Sequence, residues 1–482
     1  PFTKWPLLGN GFSLLRGNCY PWEEIAGWLE RYANDDHLLK FEFMSQTFLL
    51  IGNIKLVQYI LGSHHLNYIK DSKTFAPFRD LLGSGLVTSE GKQWERQRKF
   101  LAPAFRGREA LRHVAFAAVE ATHRMVENFE QKMSDGNPLL VEWDNEFRHL
   151  TLQVIAQAVM SLSPEESDRT LPKLYLPIVD EANSRTWHPW RMILPNASYQ
   201  QSVNQLNQFV VDIITKRWYE RQERINQSKE GTLHLDILDR LLEVISQANA
   251  DEQNNTADQK TTTIPKWATL QLRDEIKTFL LAGHETSSMS LTWALYELTQ
   301  NPDIEQRLFE EAKEIFPSND LTLAKPDYTQ LRSLTYSEYV LKEALRKYSV
   351  VPVVTREAVE TRTIPAQELD TQQPITIPKG CSIVIPIRYI HHRKDLWDDP
   401  EVFRPERWSE SINTWQFLGF LAGPRFCIGQ HFALLEAKIV LSMIVRKYHI
   451  RANKKTSKAT HRYMIPICPL DTMNLEIVPR ED

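Results

Sequence analysis

Cys427 lies in Phe420-Leu421-Ala422-Gly423-Pro424-Arg425-Phe426-Cys427-Ile428-Gly429, near the C-terminus. A thiolate on a loop braced by glycines, with Arg425 two positions earlier, has the makings of an axial ligand to iron. Glycine lets such a loop fold tightly, so that backbone N–H groups can turn toward the sulfur. Those donors, with a positive charge nearby, favour thiolate over thiol and tune the potential of a bound metal. A lone Cys is more often a small buried hydrophobe; the joint spacing of Phe420, Gly423, Arg425, Cys427 and Gly429 outweighs that reading.

A second constellation, Ala282-Gly283-His284-Glu285-Thr286-Ser287, lies in a long helical pattern. Ala282 and Thr286 share a face at i, i+4, with Phe279 on the same stripe. Gly283 costs about 1 kcal/mol in a helix interior relative to Ala, and close approach of a flat cofactor is one candidate for the compensation. A hydroxyl beside the Glu285 carboxyl would make a short proton route, although a helical Thr usually bonds back to a carbonyl. Elsewhere, Trp94 and Arg98 (i, i+4) can offer an indole N–H and a guanidinium to one carboxylate. Glu343 and Arg346 stand one helical turn apart, a spacing worth only about 0.3–0.5 kcal/mol on an exposed face.

These motifs, in this order, resemble the cytochrome P-450 family of haem-thiolate monooxygenases, over about Pro6 to Pro479. The resemblance implies haem b with Cys427 as the iron ligand and Phe420 and Gly429 framing it. It further implies Thr286 and Glu285 as the oxygen-activation pair and Ala282 and Gly283 against the cofactor. Trp94, Arg98, Arg356 and Arg425 would face the haem propionates. Glu343 and Arg346, with Arg407 of Phe403-Arg404-Pro405-Glu406-Arg407-Trp408, would form the family's buried structural triad; Trp408 stands where Phe is commoner. The implied activity inserts one oxygen atom from O2 into a C–H bond of a hydrophobic small molecule. Electrons would come from NADPH through a separate P-450 reductase, or from a ferredoxin-type donor, docking near Lys92, Arg96 and Lys99. A haem-thiolate isomerase or dehydratase, or a haem-based sensor or electron carrier, are the competing readings; the Glu285–Thr286 pair argues against the first of these.

The pocket implied by resemblance draws on 74–87, 185–194, 275–282, 350–354 and 465–470, with Phe75, Phe279, Ala282, Val350 and Val353 as its apolar lining. Apolar lining favours a fatty acid, sterol, carotenoid, other terpenoid or xenobiotic. Glu275 is expected to cap an ion pair at the pocket's edge, the other option being contact with a polar substrate group. Trp187 and Trp190 suit either a membrane-facing lid or ordinary core aromatics.

The elements that must hold these residues form a mostly helical body with a small β-rich lobe, expected as one domain over 1–482. Periodicity predicts helices over 91–104, 111–133, 141–161, 171–184, 202–227, 266–300 and 429–447. Strand signals occupy 38–52 and 349–386, with a hairpin near 463–479, while 247–260 reads as a polar surface loop. With 42% hydrophobic residues the 482-residue chain can bury a large core, and a net charge of −4 argues against a nucleic-acid binder. The four Cys residues are scattered without zinc or disulfide spacing, which suits a reducing compartment. No run of apolar residues is long enough to span a bilayer. Pro1–Asn10 looks like the proline-bearing hinge that follows an anchor helix in membrane-bound members, so a removed leader is expected. The implied location is the cytosolic face of the endoplasmic reticulum membrane, with a plastid or a bacterial cytoplasm as alternatives, and a monomer is expected.

Overall fold

Pro265 and Pro302 bracket a stretch without internal proline, and in the computed structural model that stretch is one 35-residue helix, Lys266–Gln300. Proline lacks the N–H that a helix interior needs, so Pro265 caps this helix and Pro302 opens the next at its first position. Side chains are buried on every face of the long helix, which other helices surround. The structure describes residues 21–480 except 44–45, 134–136, 188, 195, 227–235, 255–262, 319, 322–325, 454–455, 457–460 and 463–465. The hinge reading of Pro1–Asn10 lies outside the described residues.

In chain order the main helices are α1 (Pro21–Tyr32), α2 (Gly91–Arg106), α3 (Arg108–Lys132), α4 (Trp143–Met160), α5 (Pro164–Leu174) and α6 (Leu176–Trp187). They continue with α7 (Ala197–Asn226), α8 (Ile237–Asn254), α9 (Lys266–Gln300), α10 (Pro302–Ile315), α11 (Thr335–Tyr348) and α12 (Gln430–Lys447). One hydrophobic core runs through this helical body and a second lies in the lobe, where Trp28 of α1 packs with Leu50, Ile51, Ile383 and Ile385.

The lobe's main sheet is formed by Leu38–Phe43 (β1), Gln46–Ile51 (β2), Tyr68–Ile69 (β3), Val353–Ala358 (β5) and Ser382–Pro386 (β8), in the order β1-β2-β8-β5-β3. Within it β2 and β8 run parallel, with Phe48 opposite Ser382, and the other pairs are antiparallel. Leu139–Glu142 (β4) and Tyr448–Ala452 (β9) flank Asn474–Pro479 (β12) in a second sheet. Two small hairpins, β6 with β7 (Arg362–Ile364, Ile375–Ile377) and β10 with β11 (His461–Arg462, Cys468–Pro469), complete the described strands.

Several sequence expectations are corrected. Val141 is strand, not helix, because it finds Leu475 as an antiparallel partner far along the chain. Residues 171–184 are parts of two helices, since α5 ends at Leu174, after an internal Pro172, with Tyr175 as its cap. Residues 247–254 continue α8: its apolar face (Leu238, Leu241, Leu242, Ile245) docks on the core and carries the polar helix formers after it. The C-terminal strand β12 pairs with β4 and β9, not with a local hairpin partner.

The tie between α11 and the segment before the Cys427 loop is a single buried carboxylate. Glu343 accepts from Arg346 (Nε 3.0 Å, Nη2 2.8 Å), Arg407 Nε (3.0 Å), Trp408 Nε1 (3.1 Å) and the Arg404 N–H (3.1 Å). Arg346 and Glu343 are both fully buried. Arg346 Nη1 also donates to the His391 carbonyl at 2.9 Å, and His391 Nε2 accepts the Leu418 N–H at 2.9 Å. His391 is fully buried, which holds its imidazole neutral, and Ser349 Oγ lies 2.8 Å from its other nitrogen. Removing Glu343 would strand two guanidiniums in the interior, a defect that costs about 3–5 kcal/mol. Glu343→Ala is therefore expected to lose most of its folded yield and to unfold at clearly lower denaturant than Glu343→Gln. Equal midpoints for the parent and Glu343→Ala in equilibrium unfolding would refute this assignment.

Candidate functional site

The Cys427 loop folds back on itself through the Cys427 N–H, which donates to the Phe420 carbonyl at 2.8 Å. Gly423 is required at its position: φ is +74°, and a Cβ there would sit 2.2 Å from the Leu61 carbonyl oxygen. Gly429 is the cap residue before α12, so Cys427 lies at the positive end of an 18-residue helix. Burial pushes the Cys427 thiol up, while the Gly429 N–H and the Arg98 guanidinium pull it down. Cys427 is exposed although protein surrounds its sulfur, so the thiol opens onto an internal space.

The middle of α9 shows a matching gap. Ala282 is exposed and Thr286 partly exposed, in a helix that is buried over 274–280 and 287–298. Thr286 Oγ1 donates to the Ala282 carbonyl at 2.7 Å, the back-bond a helical Thr prefers. Glu285 does not sit beside that hydroxyl. Its Oε1 lies 3.2 Å from His284 Nε2 and its Oε2 3.5 Å from Arg148 of α4. Burial works to raise the Glu285 carboxyl, but the His284 contact and the Arg148 charge outweigh it and hold it below the usual carboxylate range. The expected short route from Glu285 to Thr286 is thus not made in this structure, because adjacent helix positions face different neighbours.

Gly283 has a packing role as well. A Cβ there would meet Ile155 of α4 at 2.7 Å, so the glycine serves close helix packing. Phe279 is core: its ring lies edge-on to Phe105 at 4.8 Å. Val350 and Val353 are buried as well, whereas Phe75 is partly exposed beneath Lys70 Nζ at 5.7 Å. Glu275 makes no ion pair among the described contacts. It accepts the Leu86 N–H at 2.9 Å and the Gln271 amide, and burial pushes its carboxyl up to about 8. With Asp274, which accepts the Ser84 N–H at 2.9 Å, it pins the segment between β3 and α2 onto α9. Trp190 is exposed beside Ile193 and Leu194; the side chain of Trp187 and residues 463–465 lie outside the described set.

Beside the loop, cations converge from four segments. Arg425 lies 3.9 Å over the Trp94 ring, donates to the Ser89 carbonyl at 3.0 Å and hydrogen-bonds Glu90. Arg98 stacks on Phe426 at 4.5 Å, and its buried Nη2 has no hydrogen-bond partner among the described residues. Arg356 of β5 is buried, and burial with the charge of Arg425 holds its guanidinium down to about 10. Lys70, at the end of β3, belongs to the same cluster, and no motif in the sequence points to it. His391 is a second residue that the sequence did not reveal; its only signal is a histidine pair before the triad segment.

A largely buried cation cluster in which cations outnumber carboxylates, a guanidinium N–H with no acceptor among the described residues, and a thiol opening onto unfilled space fit haem: a flat dianion with an iron for the sulfur. Trp94, Arg98, Arg356, Arg425 and Cys427 would hold it. A cleft of 460 Å³ lined by Glu297, Lys347, Tyr348, Arg388, His392 and Glu401 lies elsewhere and pairs its own charges, Lys347 with Glu297 at 2.9 Å and His392 with Glu401 at 2.7 Å.

The Glu275 environment carries a pH signature. An acid whose folded pKa is raised contributes most stability below its unfolded value of 4.5 and loses it as pH rises through about 8. Glu275→Gln should accordingly gain on the parent in denaturant midpoint across that window. A difference that stays constant with pH would refute the buried, proton-bearing Glu275.

The cytochrome P450 family model matches residues 1–466. A cytokinin hydroxylase of Arabidopsis thaliana is 32% identical over 383 residues, covering 78% of this chain and 68% of its own length. Cytochrome P450 4c21 of Blattella germanica is 26% identical over 501 residues (98% of this chain, 92% of its own) and cytochrome P450 4e2 of Drosophila melanogaster 26% over 464 (92% and 81%). A match of this extent, joined to a cysteine at a helix N-terminus and a cation cluster built for a dianion, settles the family: the chain belongs to the cytochrome P450 family and is a P450 monooxygenase.

Proposed function

We propose that the protein, as one catalytic domain, hydroxylates a C–H bond of a hydrophobic small molecule, with Cys427 as the axial ligand of haem b and electrons supplied by a separate protein. The observation that carries this reading is the Cys427 thiol, open to internal space at the positive end of α12, with the exposed Ala282–Thr286 turn as the other break in a buried core. Haem, when bound, supplies the iron at which dioxygen is reduced and split.

The chain's own residues would set up that chemistry. The Gly429 N–H and Arg98 stabilise the thiolate form of Cys427. Thr286 Oγ1 releases its back-bond to the Ala282 carbonyl and offers its proton above that turn. Glu285, leaving His284 and Arg148, returns the proton through water. Trp94, Arg98, Arg356 and Arg425 neutralise the propionates.

The substrate is proposed to be lipid-like. Exposed Trp190, Met192, Ile193 and Leu194 form an apolar surface between α6 and α7, suited to rest on a membrane through which such molecules arrive. Among the described residues no helix is long and apolar enough to cross a membrane. The relative named a cytokinin hydroxylase supports hydroxylation as the reaction class. Lys92, Arg96 and Lys99 are exposed on α2, where an acidic electron donor would dock; an NADPH-dependent P-450 reductase at the endoplasmic reticulum is the proposed source.

A spectral binding screen of fatty acids, sterols, carotenoids and drugs against the ferric protein would identify the substrate class. Cys427→His should abolish the red-shifted Soret band of the reduced carbonyl complex, and survival of that band would overturn the ligand assignment. Thr286→Ala should retain haem and reductant consumption but lower product formation by about 10²-fold, with hydrogen peroxide in place of product. Unchanged product yield per electron pair would remove Thr286 from the proton path.

A further inference from the structure

Among the described residues Lys70 is the one amine in a cluster of guanidiniums. Its backbone N–H donates to Glu90 Oε1 at 3.2 Å, which fixes the residue where β3 leaves the lobe sheet. Its Nζ lies 2.5 Å from the Val87 carbonyl and 3.4 Å from the Leu86 carbonyl. A neutral amine has two N–H donors, and two carbonyls take them; the third position is a lone pair until a proton arrives. The charged groups facing it are Arg425, Arg356 and Arg98 from the Cys427 loop, β5 and α2, Glu90 before α2, and Glu275 from α9. Cations outnumber carboxylates in this set; Arg356 is buried, and Lys70, Arg98 and Arg425 are partly buried.

We propose that Lys70 is a further binding residue for the cofactor's carboxylates and takes up a proton when they arrive, so that cofactor retention is linked to pH. This rests on the haem reading above. Burial first, and then the charge of Arg425, hold the Lys70 amine down to about 7, with Glu90 opposing them. Two carboxylates placed among the guanidiniums cancel that repulsion and offer an acceptor to the third N–H. The step is an acid–base one: a proton from solvent joins the Nζ lone pair, and no electron moves. By linkage the cofactor is held most tightly below the free-site value of about 7 and released more readily as pH rises above it. Arg98, Arg356 and Arg425 stay charged over that range and give no such dependence.

The test uses the holoenzyme, with haem transfer to excess apomyoglobin followed by visible absorption at pH values on both sides of the Lys70 titration. The parent should release haem faster as pH rises, by up to roughly tenfold for a tenfold fall in proton concentration. Lys70→Met should release it fast at every pH, while Lys70→Arg, permanently charged, should release it slowly at every pH. Glu275→Gln should keep the parent's profile, which separates the Lys70 titration from that of Glu275. Superimposable profiles for the parent and Lys70→Met would overturn the inference. A purified parent that carries no haem would overturn the proposed function instead.

Discussion

The site depends on one fully buried carboxylate. Glu343 receives two guanidiniums, an indole and a backbone N–H, and these donors come from α11 itself and from the segment before the Cys427 loop. The geometry is demanding because a buried charge is tolerated only when fully bonded. That demand is transmitted: Arg346 holds the His391 carbonyl, His391 holds the Leu418 N–H, and Leu418 leads into the Phe420–Gly429 loop. Phe417 stacks on His391 at 5.4 Å and Trp408 stands edge-on to Phe417 at 4.6 Å, so packing reinforces the hydrogen bonds. The Cys427 thiol is placed by the supports of its loop, and those supports begin on α11.

The opposite wall works by leaving room. Gly283 lets Ile155 approach α9, and Thr151 of α4 donates to the His284 carbonyl at 3.0 Å. With α4 held close on that side, Ala282 and Thr286 face space that the protein does not fill. Close packing is the rule in an interior, and unfilled space beside a buried thiol and an unsatisfied guanidinium is costly without a ligand. An anionic, planar ligand relieves both defects together, so its binding stabilises the fold as well as enabling chemistry.

Much of this was legible because the signals are local. The Cys427 loop occupies ten consecutive residues, Glu343 and Arg346 lie at i, i+3, and Trp94 and Arg98 at i, i+4. The long helix α9 was bounded by two prolines and matched its expected limits. Misreadings came where a distant partner decided the outcome. Val141 has helical surroundings in sequence but joins Leu475. Glu275 looked available for an ion pair, yet burial leaves it proton-bearing against the Leu86 N–H. Phe279 shares a stripe with Thr286 but points into Phe105.

By itself the sequence determined which groups stand at which spacing: a cysteine on a glycine-braced loop, Glu285 next to Thr286, arginines at helical spacing, and the helices that carry them. Residue identity and spacing within a few turns suffice for that, since backbone geometry places such neighbours without further information. Only the tertiary structure decided what each charge meets. It turned Glu285 toward His284 and Arg148, assigned Gly283 to Ile155, brought His391 under the loop, and set Lys70 among three guanidiniums. The reason is physical: burial and long-range neighbours set the state of a charged group, and neither has a period along the chain.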